Sequence, residues 1–155
     1  MRAVVQRTAR AAVRVAGSTI GEIGAGLLVL IGVGPEDDER SADRLASRVA
    51  GLRIFADNDG RMNREVSQVG GRVLVVSQFT LLAVTNRGHR PSFVRAAPPE
   101  QGERLYRRFV EALRGRGLVV ATGEFGAHMD VELVNDGPVT LVLTSGEGPW
   151  NADAG

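Results

Sequence analysis

Two alternating apolar runs near the C-terminus, Val131-x-Leu133 and Val139-x-Leu141-x-Leu143, flank the polar corner Asn135-Asp136-Gly137-Pro138. Alternation with period two predicts strand on both sides of the corner. Proline removes an amide hydrogen where the second strand begins to pair, so the corner is expected to stand exposed with its backbone available. Taken locally, it reads as an ordinary hairpin turn.

The rest of the chain repeats the strand signal and interrupts it twice with helix. Four short strands are predicted at 4–7, 12–15, 19–23 and 27–33, separated by Gly17-Ser18 and Gly24-Ala25-Gly26. Proline and a run of carboxylates at 35–39 then open a helix whose apolar stripe is Leu45, Val49 and Leu52. A second helix begins at Pro98-Pro99, carries Leu105, Phe109 and Leu113, and ends at Gly115-Arg116-Gly117. Between them, Arg72-Val73-Leu74-Val75-Val76 is nearly continuous apolar sequence, the pattern of a strand buried on both faces. Segment 83–99 has no period and forms a long loop, and strands at 118–122, 128–134 and 139–144 complete the pattern. The order predicts an α+β fold: mixed and antiparallel sheet in a barrel-like, β-β-α layered single domain with two main helices. Residues 1–144 make the domain, and 145–155 a flexible tail around Trp150.

A chain of 155 residues with 43% hydrophobic and 24% charged content has the balance of a globular domain. No apolar run reaches the roughly 20 residues that span a bilayer, and no signal segment is evident, so a cytoplasmic location is expected. Without cysteine there is no disulfide, no thiolate nucleophile and no Cys-based zinc site. The net charge of +1 excludes a global attraction to nucleic acid, so any basic surface is local. All 19 basic residues are arginine, which suits phosphate contact and equally suits a GC-biased genome. Asp57-Asn58-Asp59-Gly60 resembles the start of a calcium loop, but the twelfth position is Gln68 rather than glutamate.

The familiar catalytic signatures are missing: no phosphate loop, no GxSxG, no HExxH and no histidine pair at metal spacing. His89 and His128 read as structural or solvent-facing. An enzyme built on this sequence must work with backbone dipoles, hydroxyls or a group of its substrate. Ser77-Gln78-Phe79-Thr80 leaves the end of the buried strand, where side chains and amides converge. Thr80 is a candidate nucleophile without an evident base, and the amides of Phe79 and Thr80 are candidates to hold an oxyanion. The plain alternative is a strand end with a core Phe79.

Ser77-Gln78-Phe79-Thr80-Leu81, Arg90-Pro91-Ser92-Phe93 and Asn135-Asp136-Gly137-Pro138-Val139-Thr140 together resemble, in order and spacing, the signature segments of the D-aminoacyl-tRNA deacylases. The resemblance extends through Gln6-Arg7, 21–32, Met62-Asn63 and 123–129, and covers residues 1 to about 144. It implies hydrolysis of the ester between a D-amino acid, or glycine, and the 3′-terminal adenosine of tRNA, by a homodimer. It also implies a cis Gly137-Pro138 peptide, an arrangement found in only about 5–6% of X-Pro bonds, inserted into the partner's site to reject L-amino acids. By the same resemblance, Ser77, Gln78, Phe79 and Thr80 form the catalytic segment and the substrate's 2′-hydroxyl helps activate water. Phe125 and Met129 bind adenosine, with core packing as their alternative. Glu124 stands where many relatives carry a basic residue. Arg7, Arg87, Arg90 and Arg95 are the candidates for acceptor-stem phosphates. No cofactor or metal is implied, and neither a membrane nor DNA is implied as a partner. Two other classes compete: a noncatalytic RNA-binding module, which would want more surface aromatics than one Tyr and one Trp offer, and a Thr80-dependent esterase of small molecules.

Overall fold

The computed structural model describes residues 1–86 and 88–146. Strand β1 (Arg2–Val15) is the spine, because β2 (Ser18–Ile23), β3 (Gly26–Gly32) and β8 (Asp130–Thr144) all pair with it antiparallel. On the far side of β3 the pairing turns parallel, to β6 (Arg72–Ser77) and then β7 (Val120–Thr122). The order is therefore β2-β1-β3-β6-β7, with β8 added to β1. The small pair β4 (Phe55–Ala56) and β5 (Met62–Arg64) stands apart. Its turn is locked by Asp57, whose Oδ1 accepts the amides of Asp59 at 2.9 Å and Arg61 at 3.0 Å.

The sheet curls until β2 meets β7, nearly closing a barrel. Gly21 makes this possible, since a Cβ there would lie 2.6 Å from the Thr122 carbonyl oxygen. Inside the curl sits a small core of Ala11, Val13, Ile23, Leu28, Leu74 and Val76. The opposite face of β3 and β6, with the first half of β1, packs on helices α1 (Glu39–Ala50) and α2 (Pro99–Arg114) through Val29, Val75, Leu45, Val49, Leu105 and Phe109. Because β6 feeds Leu74 and Val76 to one core and Val73 and Val75 to the other, its sequence is apolar throughout. Helix α1 starts on an Asp38 capping box, in which Asp38 Oδ1 accepts the Ser41 amide at 2.8 Å.

Two predicted divisions are corrected. Segments 4–7 and 12–15 belong to one strand, β1, and the predicted strands 128–134 and 139–144 likewise merge into one, β8, which begins at Asp130. Asn135–Pro138 is thus not a hairpin turn, since both flanks run on in β8 against the same partner. In the β1–β8 ladder Gln6 faces Thr140 and Thr8 faces Asn135, so Asp136, Gly137, Pro138 and Val139 stand opposite Arg7 alone. The corner is a wide bulge in a continuous strand, and a bulge turns backbone outward without ending the sheet. At the far end of β8, Ser145 is buried, its amide donating to Met1 O at 3.0 Å and its hydroxyl lying 3.0 Å from Asp37 Oδ1. Ser145 is thus tied to the N-terminus, while Trp150 and the rest of the predicted tail from 147 onward lie outside the described residues.

Candidate active site

The parallel strands β3 and β6 end side by side, with Ile31 paired to Ser77. Gln78 N donates to Ile31 O at 2.8 Å, after which the chain folds into a 3₁₀ turn, Phe79–Leu82. Gly32 lies directly beneath, where a Cβ would meet Gln78 O at 2.9 Å. Within the turn, Leu81 N returns to Gln78 O at 3.2 Å and Ala83 N to Thr80 O at 3.0 Å. Phe79 and Thr80 open the turn ahead of these bonds, and the first amides of a helical turn have no acceptor within it. Gln78 Nε2 donates to Thr80 Oγ1, and Arg2 Nη1 holds the end of the turn through Leu81 O at 2.6 Å.

Ser77, Gln78 and Phe79 form one wall of a cavity of about 480 Å³. Ile31 and Val76 contribute apolar surface, Pro99 and Gly102 come from the start of α2, and Phe125, His128 and Met129 from the segment after β7. Phe125 is seated by Gly102, whose Cβ position lies 3.3 Å from Phe125 Cζ, and by Tyr106, 5.8 Å away between ring centroids. Met129 Sδ lies over Gly123, 2.6 Å from where a Cβ would be. Tyr106 Oη donates to Val75 O at 3.0 Å, and burial pushes its pKa up to about 12, so it remains a neutral donor. No carboxylate, lysine or arginine occurs among the described residues lining this cavity; Tyr106 and His128 are its ionisable side chains.

Sequence reasoning assigned Ser77, Gln78, Phe79, Phe125 and Met129 to one site, and they share this cavity. Thr80, Gly137, Pro138, Arg90 and Arg95 do not line it. Phe79 is 57% exposed, not a core residue, and meets Phe93 edge-on at 5.1 Å, which ties the first signature segment to the second. The loop carrying Phe93 is pinned by a bridge between Val84 and Ser92. Arg90 and Arg95 are exposed, while Arg87 lies outside the described residues. Tyr106 and Gly102 went unrecognised, since a helical stripe gives no sign of which residue at its edge touches a cavity.

The bulge is braced from both ends. Asn135 Oδ1 accepts the Val139 amide at 2.7 Å and its Nδ2 donates to Thr140 Oγ1 at 3.0 Å, so one side chain closes the loop. Arg7 Nε donates to Asp136 O at 2.9 Å and Nη1 to Ile54 O at 2.5 Å, which places this guanidinium under the bulge as a strut. The Gly137–Pro138 peptide is cis, and Gly137 has φ 143°, a conformation only glycine adopts easily. Gly137 and Pro138 are both exposed.

A sequence model of the D-Tyr-tRNA(Tyr) deacylase family matches residues 4–144. The chain belongs to this family. Among relatives, the D-aminoacyl-tRNA deacylase of Symbiobacterium thermophilum is 61% identical over 145 residues, covering 94% of this chain and 96% of the relative. That of Deinococcus radiodurans is 59% identical over 143 residues, covering 92% and 99%. Among solved structures, the c-Myc DNA Unwinding Element Binding Protein superposes with a TM-score of 0.87 at 41% identity, covering 96% of this chain and 99% of that one. A probable eukaryotic D-amino acid tRNA deacylase does so at 0.79 with 17% identity, over 92% and 97%, a likeness of fold. Membership makes the chain an enzyme, a hydrolase, and the fold is the family's two-helix, nearly closed barrel. Among the described residues, no helix is long and apolar enough to cross a membrane.

Proposed function

We propose that this chain hydrolyses the ester joining a D-amino acid, or glycine, to the 3′-terminal adenosine of tRNA, in the cytoplasm and as a homodimer. The reading is carried by the cavity at the end of β6: it joins a 3₁₀ turn, whose first amides have no acceptor within the turn, to an apolar slot walled by Phe125 and Met129. Adenosine enters the slot, and the ester carbonyl oxygen is held by the amides of Phe79 and Thr80 as it gains charge. With no carboxylate on the wall, the attacking water is activated by the substrate's own 2′-hydroxyl, and positioning contributes much of the rate.

Chirality is read by a second copy of the chain. Gly137 and Pro138 stand on an exposed, doubly braced bulge and do not line their own chain's cavity. In the dimer they enter the partner's, where an L side chain meets rigid backbone carbonyls while a D side chain or a hydrogen does not. Thousandfold rejection requires about 4 kcal/mol at ~1.4 kcal/mol per tenfold, within reach of a backbone clash. Arg90 and Arg95, exposed beside the site, are the contacts proposed for acceptor-stem phosphates. The Thr80 esterase is disfavoured because the Thr80 hydroxyl is engaged by an amide donor, Gln78 Nε2, which cannot take a proton.

Matched D- and L-aminoacyl-tRNA, incubated with the protein and followed for ester loss, test the reading. Deacylation of the D form at least a hundredfold faster is expected. Equal rates for the two forms would overturn it, and equal turnover of a free D-amino-acid ester would point to the small-molecule esterase.

A further inference from the structure

Tyr106 and Phe125 form a wall with two sides. One faces the cavity assigned to adenosine; the other faces a larger groove of about 670 Å³ between α2 and the segment that follows β7. The groove's helical side is a stripe of α2 bearing Glu103, Arg107, Glu111 and Arg114, and Glu124 faces it from the loop. Three carboxylates with two guanidiniums do not make a general anion sink. Nor do they make a simple cation site. Arg107 is paired with Glu103 at 2.6 Å and Arg114 with Glu111 at 3.0 Å, exposed pairs that are weak and readily exchanged, while Arg114 Nη2 also donates to Val120 O at 3.2 Å.

The chemistry of the adjoining substrate fits this mixture. The nucleotide before the terminal adenosine of tRNA is a cytidine, and its base presents an amino group at N4 that a carboxylate accepts. Its connecting phosphate is what a guanidinium takes with two parallel hydrogen bonds. Single-stranded RNA ends are commonly read in this way, on the edges of splayed bases with aromatic rings between them. The wall is only one pair of touching rings thick, so consecutive nucleotides of one strand can sit on its two sides.

We propose that the groove receives the penultimate cytidine of the substrate, with Glu124 accepting from cytosine N4 and Arg107 and Arg114 holding the phosphate that links it to the adenosine. The proposal rests on the adenosine assignment of the neighbouring cavity. It gives Glu124 a purpose that a phosphate contact does not.

Non-hydrolysable probes test it: a D-amino acid amide-linked to the 3′ position of adenosine alone, of cytidylyl-adenosine and of uridylyl-adenosine, titrated calorimetrically into the intact protein. The cytidylyl probe is expected to bind about tenfold more tightly than the adenosine probe, equal to about 1.4 kcal/mol. Uridine, which turns its O4 acceptor toward Glu124, should lose most of that gain, on the scale of one misplaced base contact. Glu124→Ala should erase the preference for cytidine over uridine. Arg107→Gln combined with Arg114→Gln should remove the phosphate contribution while leaving the adenosine probe's affinity unchanged. Equal affinity for the adenosine and cytidylyl probes, or a gain that survives all three substitutions, would overturn the groove assignment alone. Failure of the adenosine probe itself to bind would overturn the adenosine cavity and the groove with it.

Discussion

Thr80 and His128 are two side chains near the cavity that a conventional mechanism would recruit, and the geometry argues against both. A nucleophilic hydroxyl needs a base to receive its proton, whereas the neighbour of Thr80 is the Gln78 amide, a donor. His128 lines the cavity but is solvent-exposed and unbonded to Ser77 or Thr80 among the described residues. General acid–base catalysis by a side chain is worth about 10²–10⁴ in rate, so its removal is unmistakable. Thr80→Ala and His128→Ala are each expected to keep kcat on D-aminoacyl-tRNA within about tenfold of the parent, well above that loss. Replacing the terminal 2′-hydroxyl by hydrogen should instead abolish turnover with binding largely kept. Single-turnover ester hydrolysis measures all three, and a collapse of kcat in either folded variant would move the base from substrate to protein.

At the scale of the element, the helices and the buried strand were legible because each carries its own period or composition: Leu45 and Val49, Leu105 and Phe109, and the run 72–76. What misled was continuity. Alternation fails at Gln6-Arg7-Thr8 and again at Asn135–Pro138, and each failure reads locally as an end of strand. In the fold the two interruptions face each other, so they register a bulge within one ladder rather than two termini. No local rule contains that fact, because it depends on residues about 130 apart in sequence meeting across β1 and β8. One wall of the cavity, 77–80, was legible as the end of a buried strand and the other, 123–129, through the resemblance, but neither stretch announces that Gly102 and Tyr106 of α2 also line it. The barrel-like curl was expected from the order of strands, but the contact that brings β2 onto β7 was not, and it depends on one glycine. In Gly21→Ala the new methyl meets a backbone oxygen at 2.6 Å, which cannot rotate away, so β2 must withdraw from β7. The expected cost is about 1–3 kcal/mol, the range for overpacking a tight site. Urea denaturation measures it as a lowered midpoint at unchanged slope; an unshifted midpoint would show that the curl is not held shut there.

For the whole molecule, the decisive feature is the outer edge of β8. Among the described residues this strand of 15 pairs only with β1, which leaves a long row of backbone donors and acceptors without a neighbouring strand. Such edges are normally kept short, charged or covered. Here Val134 and Val142 remain 41% and 49% exposed along it, and the bulge with Gly137 and Pro138 projects between them. A second copy covering this strand would bury the apolar side chains, and if it also carried each bulge to the other chain's cavity, assembly and chiral rejection would share one surface. Val142→Asp puts a charge on that surface without touching the cavity lining or the braces of the bulge. The parent is expected to sediment at twice the chain mass and the variant as a monomer. If the gate and the site come from different chains, the folded monomer loses its rejection of L-aminoacyl-tRNA, and the D-over-L rate preference falls by at least about a hundredfold, roughly 2.7 kcal/mol of discrimination. Sedimentation equilibrium paired with single-turnover kinetics at the same concentrations decides it: a monomeric protein with full, D-selective activity would show that one chain holds both the site and its filter.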